Sequence, residues 1–293
     1  MKYDHFGVLG FPWDGGASLG RPGARYAPKK VREIFGWFKN REEDRMVYLV
    51  DERRTVPFHT DKIVDYGDVD IIVPSTSETF ENAERQAREI IDKGGFPMVI
   101  GGDHSISFPI IKALHDSCQG QVGIIQFDAH LDLVDESKLQ GKYSQSSQMR
   151  RALELDRVNP DNIVQIGVRG ANYPWYDDYL KSTGIHQYTS YEIHEGKPRD
   201  IAKEVVDLYR KNGVEKIYLT FDIDVLDPAF APATGADEPF GLNPHQCKVM
   251  LQEFYPIVDA FDIAEVNPLY EVNDQTMALS ARLMFDCFVS KFK

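Results

Sequence analysis

Residues 124–133 read IIQFDAHLDL. An apolar run suited to a buried strand stops at Asp128, and His130 and Asp132 follow at alternate positions. Such groups either cap the helix after a strand, a place where Asp and Ser are favoured, or they line a site. The same ending recurs along the chain. FPMVIGGDHS (96–105) leads to Asp103 and His104, IYLTFDIDVLD (217–227) to Asp222, Asp224 and Asp227, and VDAFDIAEV (258–266) to Glu265. Alternate residues of extended chain face one side, so Asp128, His130 and Asp132 are expected to converge, as are Asp222 and Asp224.

Four further stretches have strand character: HFGVLGF (5–11), KIVDYGDV (62–69), NIVQIGV (162–168) and GIHQYT (184–189). With VGIIQFDA (122–129) and the other three above, eight strands are expected. Helical patterns fall between them, as in residues 77–94 and 198–213, the second closing on Gly213 after Lys211 as a C-cap. Strands alternating with helices predict an α/β fold with a mostly parallel sheet covered on both faces. No linker, repeat or low-complexity tract interrupts it, so residues 1–293 read as one domain. In such sheets ligands bind beyond the carboxyl ends of the strands, which is where these polar residues lie. VDESKLQGKYSQSSQ (134–148) reads as a long loop at a strand's exit, and the aromatic segments IFGWF (34–38) and YPWYDDY (173–179) as core in preference to an interface.

Composition narrows the function. A hydrophobic share of 42% with 27% charged residues is ordinary for a globular chain. A net charge of −13 argues against a nucleic-acid partner and suits a small cationic substrate or metal ions. The three cysteines are far apart and form no CxxC pair, which fits a reducing compartment. No signal-peptide pattern and no apolar segment of about 20 residues is present, so a cytoplasmic location without a membrane is expected.

Four crowded carboxylates (Asp128, Asp132, Asp222 and Asp224) would repel one another, and some would stay protonated unless cations intervene. Carboxylates with two imidazoles favour a hard divalent ion such as Mn²⁺ over a thiolate zinc site. Two such ions offset about four negative charges and can activate a shared water.

The motifs GGDHS, DAHLD and FDIDVLDP, in this order, resemble the metal signatures of the ureohydrolase family of arginase and agmatinase. RPGAR (21–25) after GFPWDGGASLG, GVRG (167–170), PATGADEPFGL (232–242) and EVNP (265–268) extend the likeness over nearly the whole chain. The resemblance implies a three-layer α/β/α arginase-like fold with an eight-stranded parallel sheet. It implies two manganese ions, one on His104, Asp128, Asp132 and Asp222, the other on His130, Asp128, Asp222 and Asp224. It implies that Glu265 holds the guanidinium and that Asp224 passes a proton to the leaving amine. Homotrimers or homohexamers are common in such families. The expected catalytic set is Asp224, His130, Glu265 and Gln145; the expected substrate contacts are Glu265, Gln145, Ala236 and Asp135.

Gln145 and Ser146 stand where the family carries a His-Gly pair, whose histidine is assigned as a proton shuttle, and Ala236 stands where arginases have threonine. A glutamine amide orients water or a substrate nitrogen but carries no proton at neutral pH. Asp135 and Glu136 suit the amine tail of agmatine; a carboxylate tail would need Lys138 or Arg169. Agmatine hydrolysis to putrescine and urea is the first expectation. Formimidoylglutamase, arginase or another guanidino-compound hydrolase is the alternative. A metal-binding, non-catalytic regulator of an active paralogue is the reading from another class. A phosphoesterase would want basic or glycine-rich phosphate cradles, and PATGADEPFGL supplies acids.

Overall fold

All eight stretches expected to be strands pair into one sheet in a computed structural model, which describes residues 2–16, 21–136 and 138–292. The strands are β1 (His5–Gly10), β2 (Met46–Leu49), β3 (Arg54–Pro57), β4 (Ile63–Asp68), β5 (Gly95–Ile100) and β6 (Gln121–Phe127). They continue as β7 (Ile163–Val168), β8 (His186–Thr189), β9 (Val214–Asp222) and β10 (Ala260–Ala264). The helices are α1 (Ala27–Lys39), α2 (Thr76–Asp92), α3 (Ser107–His115), α4 (Gln148–Ala152) and α5 (Tyr176–Thr183). After these come α6 (Ser190–Glu195), α7 (Pro198–Lys211), α8 (Pro244–Phe254) and α9 (Gln275–Lys291). Part of the GGASLG stretch, residues 17–20, and Ser137 of the 134–148 loop lie outside the described residues.

The sheet order is β4-β1-β5-β10-β9-β6-β7-β8, and every pair is parallel. The chain lays β1, β4 and β5 on one side, with β4 at the edge, then runs from β6 outward to the edge strand β8 on the other, and returns to lay β10 and β9 between β5 and β6. That return makes β5, β10, β9 and β6 neighbours, so the four strands with polar exits stand side by side. Here the sheet reverses direction of winding, the place where α/β sheets open a ligand crevice.

The two faces of the sheet carry separate cores. Val31 and Phe35 of α1, Val205 and Tyr209 of α7, Met250 and Phe254 of α8 and Met284 and Phe288 of α9 cover one face. Phe80 and Ile90 of α2, Ile110 and Leu114 of α3, Met149 of α4 and Tyr176 of α5 cover the other. Helix α2 shows how sequence writes such a layer. Ser75 accepts a bond from Glu78 N at 3.2 Å as N-cap, and Phe80, Ala83, Ala87 and Ile90 recur at helical spacing on the buried side. Helix α7 stops at Asn212, and Gly213 follows in the left-handed region with φ of +64°, as a C-terminal glycine should.

One expectation needs correction, and one hairpin lies outside the eight expected strands. Strands β2 and β3 pair antiparallel, formed by short segments set between charged residues. Val47, Leu49 and Val56 nonetheless enter the core. The aromatic segments are core only in part. Ile34, Phe35 and Tyr176 are buried, but Trp37, Tyr173 and Trp175 face outward, being 65%, 61% and 44% exposed. All three cysteines are buried and unpaired. Among the described residues no helix is long and apolar enough to cross a membrane.

Candidate active site

The exit of β5 shows why this sequence needs its glycines. Glu265 N donates to the Gly102 carbonyl at 2.8 Å, and Asp103 N to the Trp13 carbonyl at 2.8 Å. A Cβ on Gly102 would overlap the Trp13 backbone, so only glycine lets three segments close on one point. Asp103 is indeed a cap: its Oδ1 accepts from Ser105 N at 3.0 Å and its Oδ2 from Gly16 N at 2.8 Å. His104 is thereby turned into the cleft.

At the other exits, capping uses one carboxylate oxygen and leaves the other facing His104. Asp222 accepts from Asp224 N at 2.9 Å through Oδ1 and faces His104 through Oδ2. Asp128 accepts from His130 N at 2.6 Å through Oδ1, again leaving Oδ2 toward His104. The expected convergence occurs, but for a different reason than strand alternation. Strand β6 ends at Phe127, and Asp128–Asp132 is a tight turn in which Asp132 takes φ of +53°. Glu265 likewise has φ of +60°. Non-glycine residues held there cost about 1–3 kcal/mol, a strain concentrated at functional positions.

His104 Nδ1 lies 2.9 Å from Asp128 Oδ2, 3.0 Å from Asp132 Oδ2 and 3.1 Å from Asp222 Oδ2. His130 Nδ1 lies 3.0 Å from Asp224 Oδ2 and 3.5 Å from Asp128 Oδ1. Two groups able to hold an ion result, one of His104, Asp128 and Asp132, the other of Asp128, His130 and Asp224. Asp128 belongs to both, as a bridging carboxylate must. Behind them, His104 Nε2 meets Thr220 Oγ1 at 2.8 Å, and Thr220 donates to Asp262 Oδ1 at 2.7 Å. Tyr218 holds the other Asp262 oxygen. This chain keeps the proton on Nε2 and turns the Nδ1 lone pair inward.

Charge crowding is visible in the proton affinities. Burial, then Asp224 and Asp128, lift the Asp222 carboxyl well above its usual range. Burial and Asp128 push Asp132 up to about 7. Burial and Asp103 raise Glu265 strongly. Burial opposes charge on His104, but Asp128, Asp132 and Asp222 overcome it and raise its affinity for a proton. Protons are doing here what cations would do better. His104 Nδ1, Asp224 Oδ2 and Glu265 Oε2 are buried, yet none makes a hydrogen bond of good geometry. Two imidazoles and four carboxylates around such orphaned atoms fit two hard divalent ions.

The cage opens into a cavity of about 520 Å³ lined also by Gln145, Ala236 and Glu265, three of the expected residues. Asp135, the fourth expected substrate contact, lies elsewhere: it pairs with Arg151, approaches Arg150 at 3.8 Å and lines a neighbouring groove. Arg169 is a structural clamp that donates to the carbonyls of Asp224 and Glu238 at 2.7 Å each and of Val225 at 3.1 Å. Lys138 does line the cavity, the only lysine or arginine among its described lining residues. Sequence reading missed Asn172, Tyr173 and Tyr176 on the cavity wall, and Gln126, Gln148, Thr220 and Asp262 behind the ligands. For Gln126, Thr220 and Asp262 the available signal was a polar residue inside an apolar strand; the others, in loop or helix, carried none.

A family model described as the arginase family matches residues 4–289. Guanidinopropionase of Pseudomonas aeruginosa is 32% identical over 96% of this chain and 84% of its own length. The mitochondrial agmatinase of Gallus gallus is 31% identical over 95% of this chain and 78% of its own. The crystal structure of formimidoylglutamase from Bacillus subtilis superposes with a TM-score of 0.86, covering 99% of this chain and 88% of that one. At 24% identity it speaks for the fold.

Proposed function

Because the chain belongs to the arginase family, we propose that it hydrolyses a C–N bond of a small guanidino or amidino compound within the cage described above. The observation that carries this reading is a pair of buried oxygens on residues that line one cavity: Glu265 Oε2 makes no hydrogen bond, and Asp224 Oδ2 makes none of good geometry although His130 Nδ1 lies 3.0 Å away. The residues that would hold two divalent ions, manganese by their hard donor set, are His104, Asp128, Asp132, Asp222, His130 and Asp224. Such ions supply a water acidic enough to act as nucleophile at neutral pH. Glu265 pairs with the planar cation and fixes the amidino carbon in place. Asp224 accepts the proton of the attacking water and delivers it to the departing nitrogen. Oxygen is added to carbon, the C–N bond breaks, and urea and an amine leave. Gln145 orients the substrate or a water without carrying a proton.

Agmatine, the first expectation, was supported by an acidic anchor for its amine. Arg151 and Arg150 engage Asp135, and Asp135 and Glu136 both line a neighbouring groove instead of the cavity, which weakens the case for that anchor. Lys138 on the cavity wall favours instead a substrate whose tail is a carboxylate, such as an ω-guanidino acid. The test is urea release by manganese-loaded protein from agmatine, arginine, 3-guanidinopropionate and 4-guanidinobutyrate, with formimidoylglutamate scored by formamide. Guanidino acids are expected to give the highest kcat/KM. Lys138→Glu should move the ratio of guanidino acid to agmatine by about 3–10-fold, the range for an exposed ion pair made repulsive. An unchanged ratio overturns the carboxylate reading, and no turnover of any compound overturns the hydrolytic one.

A further inference from the structure

Three consecutive strands of the sheet each bring one glutamine to the same row. Gln126 on β6 is in register with Gln165 on β7, and Gln165 with Gln187 on β8. Gln126 and Gln165 are fully buried on a face otherwise filled by Ile124, Ile163 and Leu133. A primary amide inside an apolar layer is costly unless both its ends are bonded.

Here both ends are. Gln187 Nε2 donates to Gln165 Oε1 at 2.8 Å. Gln165 Nε2 uses both hydrogens, on Gln126 Oε1 at 2.8 Å and on the Leu131 carbonyl at 2.7 Å. Gln126 Nε2 also uses both, on Asp128 Oδ2 at 2.6 Å and, more weakly, on Asp132 Oδ2 at 3.4 Å. A carboxylate accepts and cannot donate, so Gln126 must turn its NH₂ toward the ligands. Its oxygen then faces β7, which requires the Gln165 NH₂, and the same logic passes to Gln187. One polarity therefore runs from β8 to the cage. Gln165 acts twice, because Leu131 sits in the turn between His130 and Asp132, where Asp132 is held at φ of +53°.

We propose that Gln126, Gln165 and Gln187 form a polarised positioning ladder that aims Asp128 and Asp132 and sets how tightly the cage holds divalent ions. The ladder takes one lone pair from the carboxylates it touches and leaves the others for metal. It also holds the strained turn that carries three of the six ligands. The inference rests on the cage being a metal site, and its test separates the two claims.

Manganese binding is measured by calorimetry on metal-stripped protein, beside thermal unfolding of the metal-free form. Gln165 touches no ligand, so Gln165→Met and Gln165→Glu probe the ladder alone. Both should weaken manganese binding by about 10–100-fold, the usual consequence of losing an outer partner of a ligand. Gln165→Glu should be the worse, since it sets acceptor against acceptor at Gln126 Oε1 and at the Leu131 carbonyl. A packing role would lower the unfolding temperature and leave Kd unchanged, and that result overturns the proposal. Should neither variant fold, Gln187→Glu at the half-buried end reads the same polarity: a weaker Kd supports the ladder, an unchanged one overturns it. Wild-type protein that binds no manganese overturns the metal reading and the ladder together.

Discussion

Thr220→Val removes one oxygen and almost no volume. That oxygen meets His104 Nε2 at 2.8 Å, donates to Asp262 Oδ1 at 2.7 Å and lies 3.2 Å from Ser107 Oγ. His104, Thr220 and Asp262 are at most 1% exposed, so water does not replace it. Each buried polar group left unpaired costs about 1–3 kcal/mol. The two losses belong to one network and do not add independently. Asp262 keeps its bond from Tyr218. Together these place the destabilisation at about 2–4 kcal/mol, or about 3–7 °C in the unfolding temperature of a chain this long. A second effect follows from the imidazole. Without Thr220 the ring is free to carry its proton on Nδ1, where an ion would be held, so manganese affinity should fall about 10–100-fold. Ser107→Ala is the control and should change either quantity far less, because Ser107 approaches Thr220 and not the imidazole. Differential scanning calorimetry of metal-free protein and calorimetric manganese titration measure the two effects. A Thr220→Val protein with wild-type stability and wild-type manganese affinity would refute the argument that this buried chain fixes His104.

Asp128→Asn takes a ligand from both ion-holding groups, so bound manganese measured by elemental analysis should fall below one ion per chain, and retention of two would refute the bridging role. Gly102→Ala drives a methyl into the Trp13 backbone; soluble yield or unfolding temperature should drop sharply, and a normal unfolding temperature would show that the close approach is dispensable. Lys291 is buried against Phe96 and Tyr3, with its ammonium donating to the Val258 carbonyl. Burial lowers its pKa to about 8 from 10.5. The unfolded chain therefore binds more protons between those values, and the penalty, full below pH 8, fades as pH rises to 10.5. It amounts to at most about 3 kcal/mol. Denaturant titrations should show wild type gaining on Lys291→Met between pH 7 and pH 10, and a constant difference would refute this. Gln145→His restores an imidazole at the cavity wall; turnover should rise without a change in substrate preference if proton transfer is what the chain lacks, and a shifted preference would place Gln145 against the substrate.

The fold was legible because strand and helix periodicities are local properties, and eight apolar runs separated by amphipathic ones permit few architectures. The candidate ligands were legible because carboxylate and imidazole at strand ends conflict with apolar burial unless something offsets their charge. IIQFDAHLDL carried both messages, and it carried a third that went unread. Gln126 sits in the middle of its apolar run, but a lone glutamine there has no meaning until Gln165 and Gln187 arrive beside it. That pairing depends on strand register between segments about 40 and 20 residues apart, which no local pattern encodes. Asp135 shows the converse. Its charge suggested a substrate anchor, and only packing revealed the buried Arg151 that takes it up. The convergence of Asp132 was expected from extended geometry and instead comes from a left-handed turn held by neighbours. Residue chemistry alone therefore determined what kind of site this chain builds. Tertiary structure decided which side chains face it, because orientation and pairing are set by contacts between distant segments.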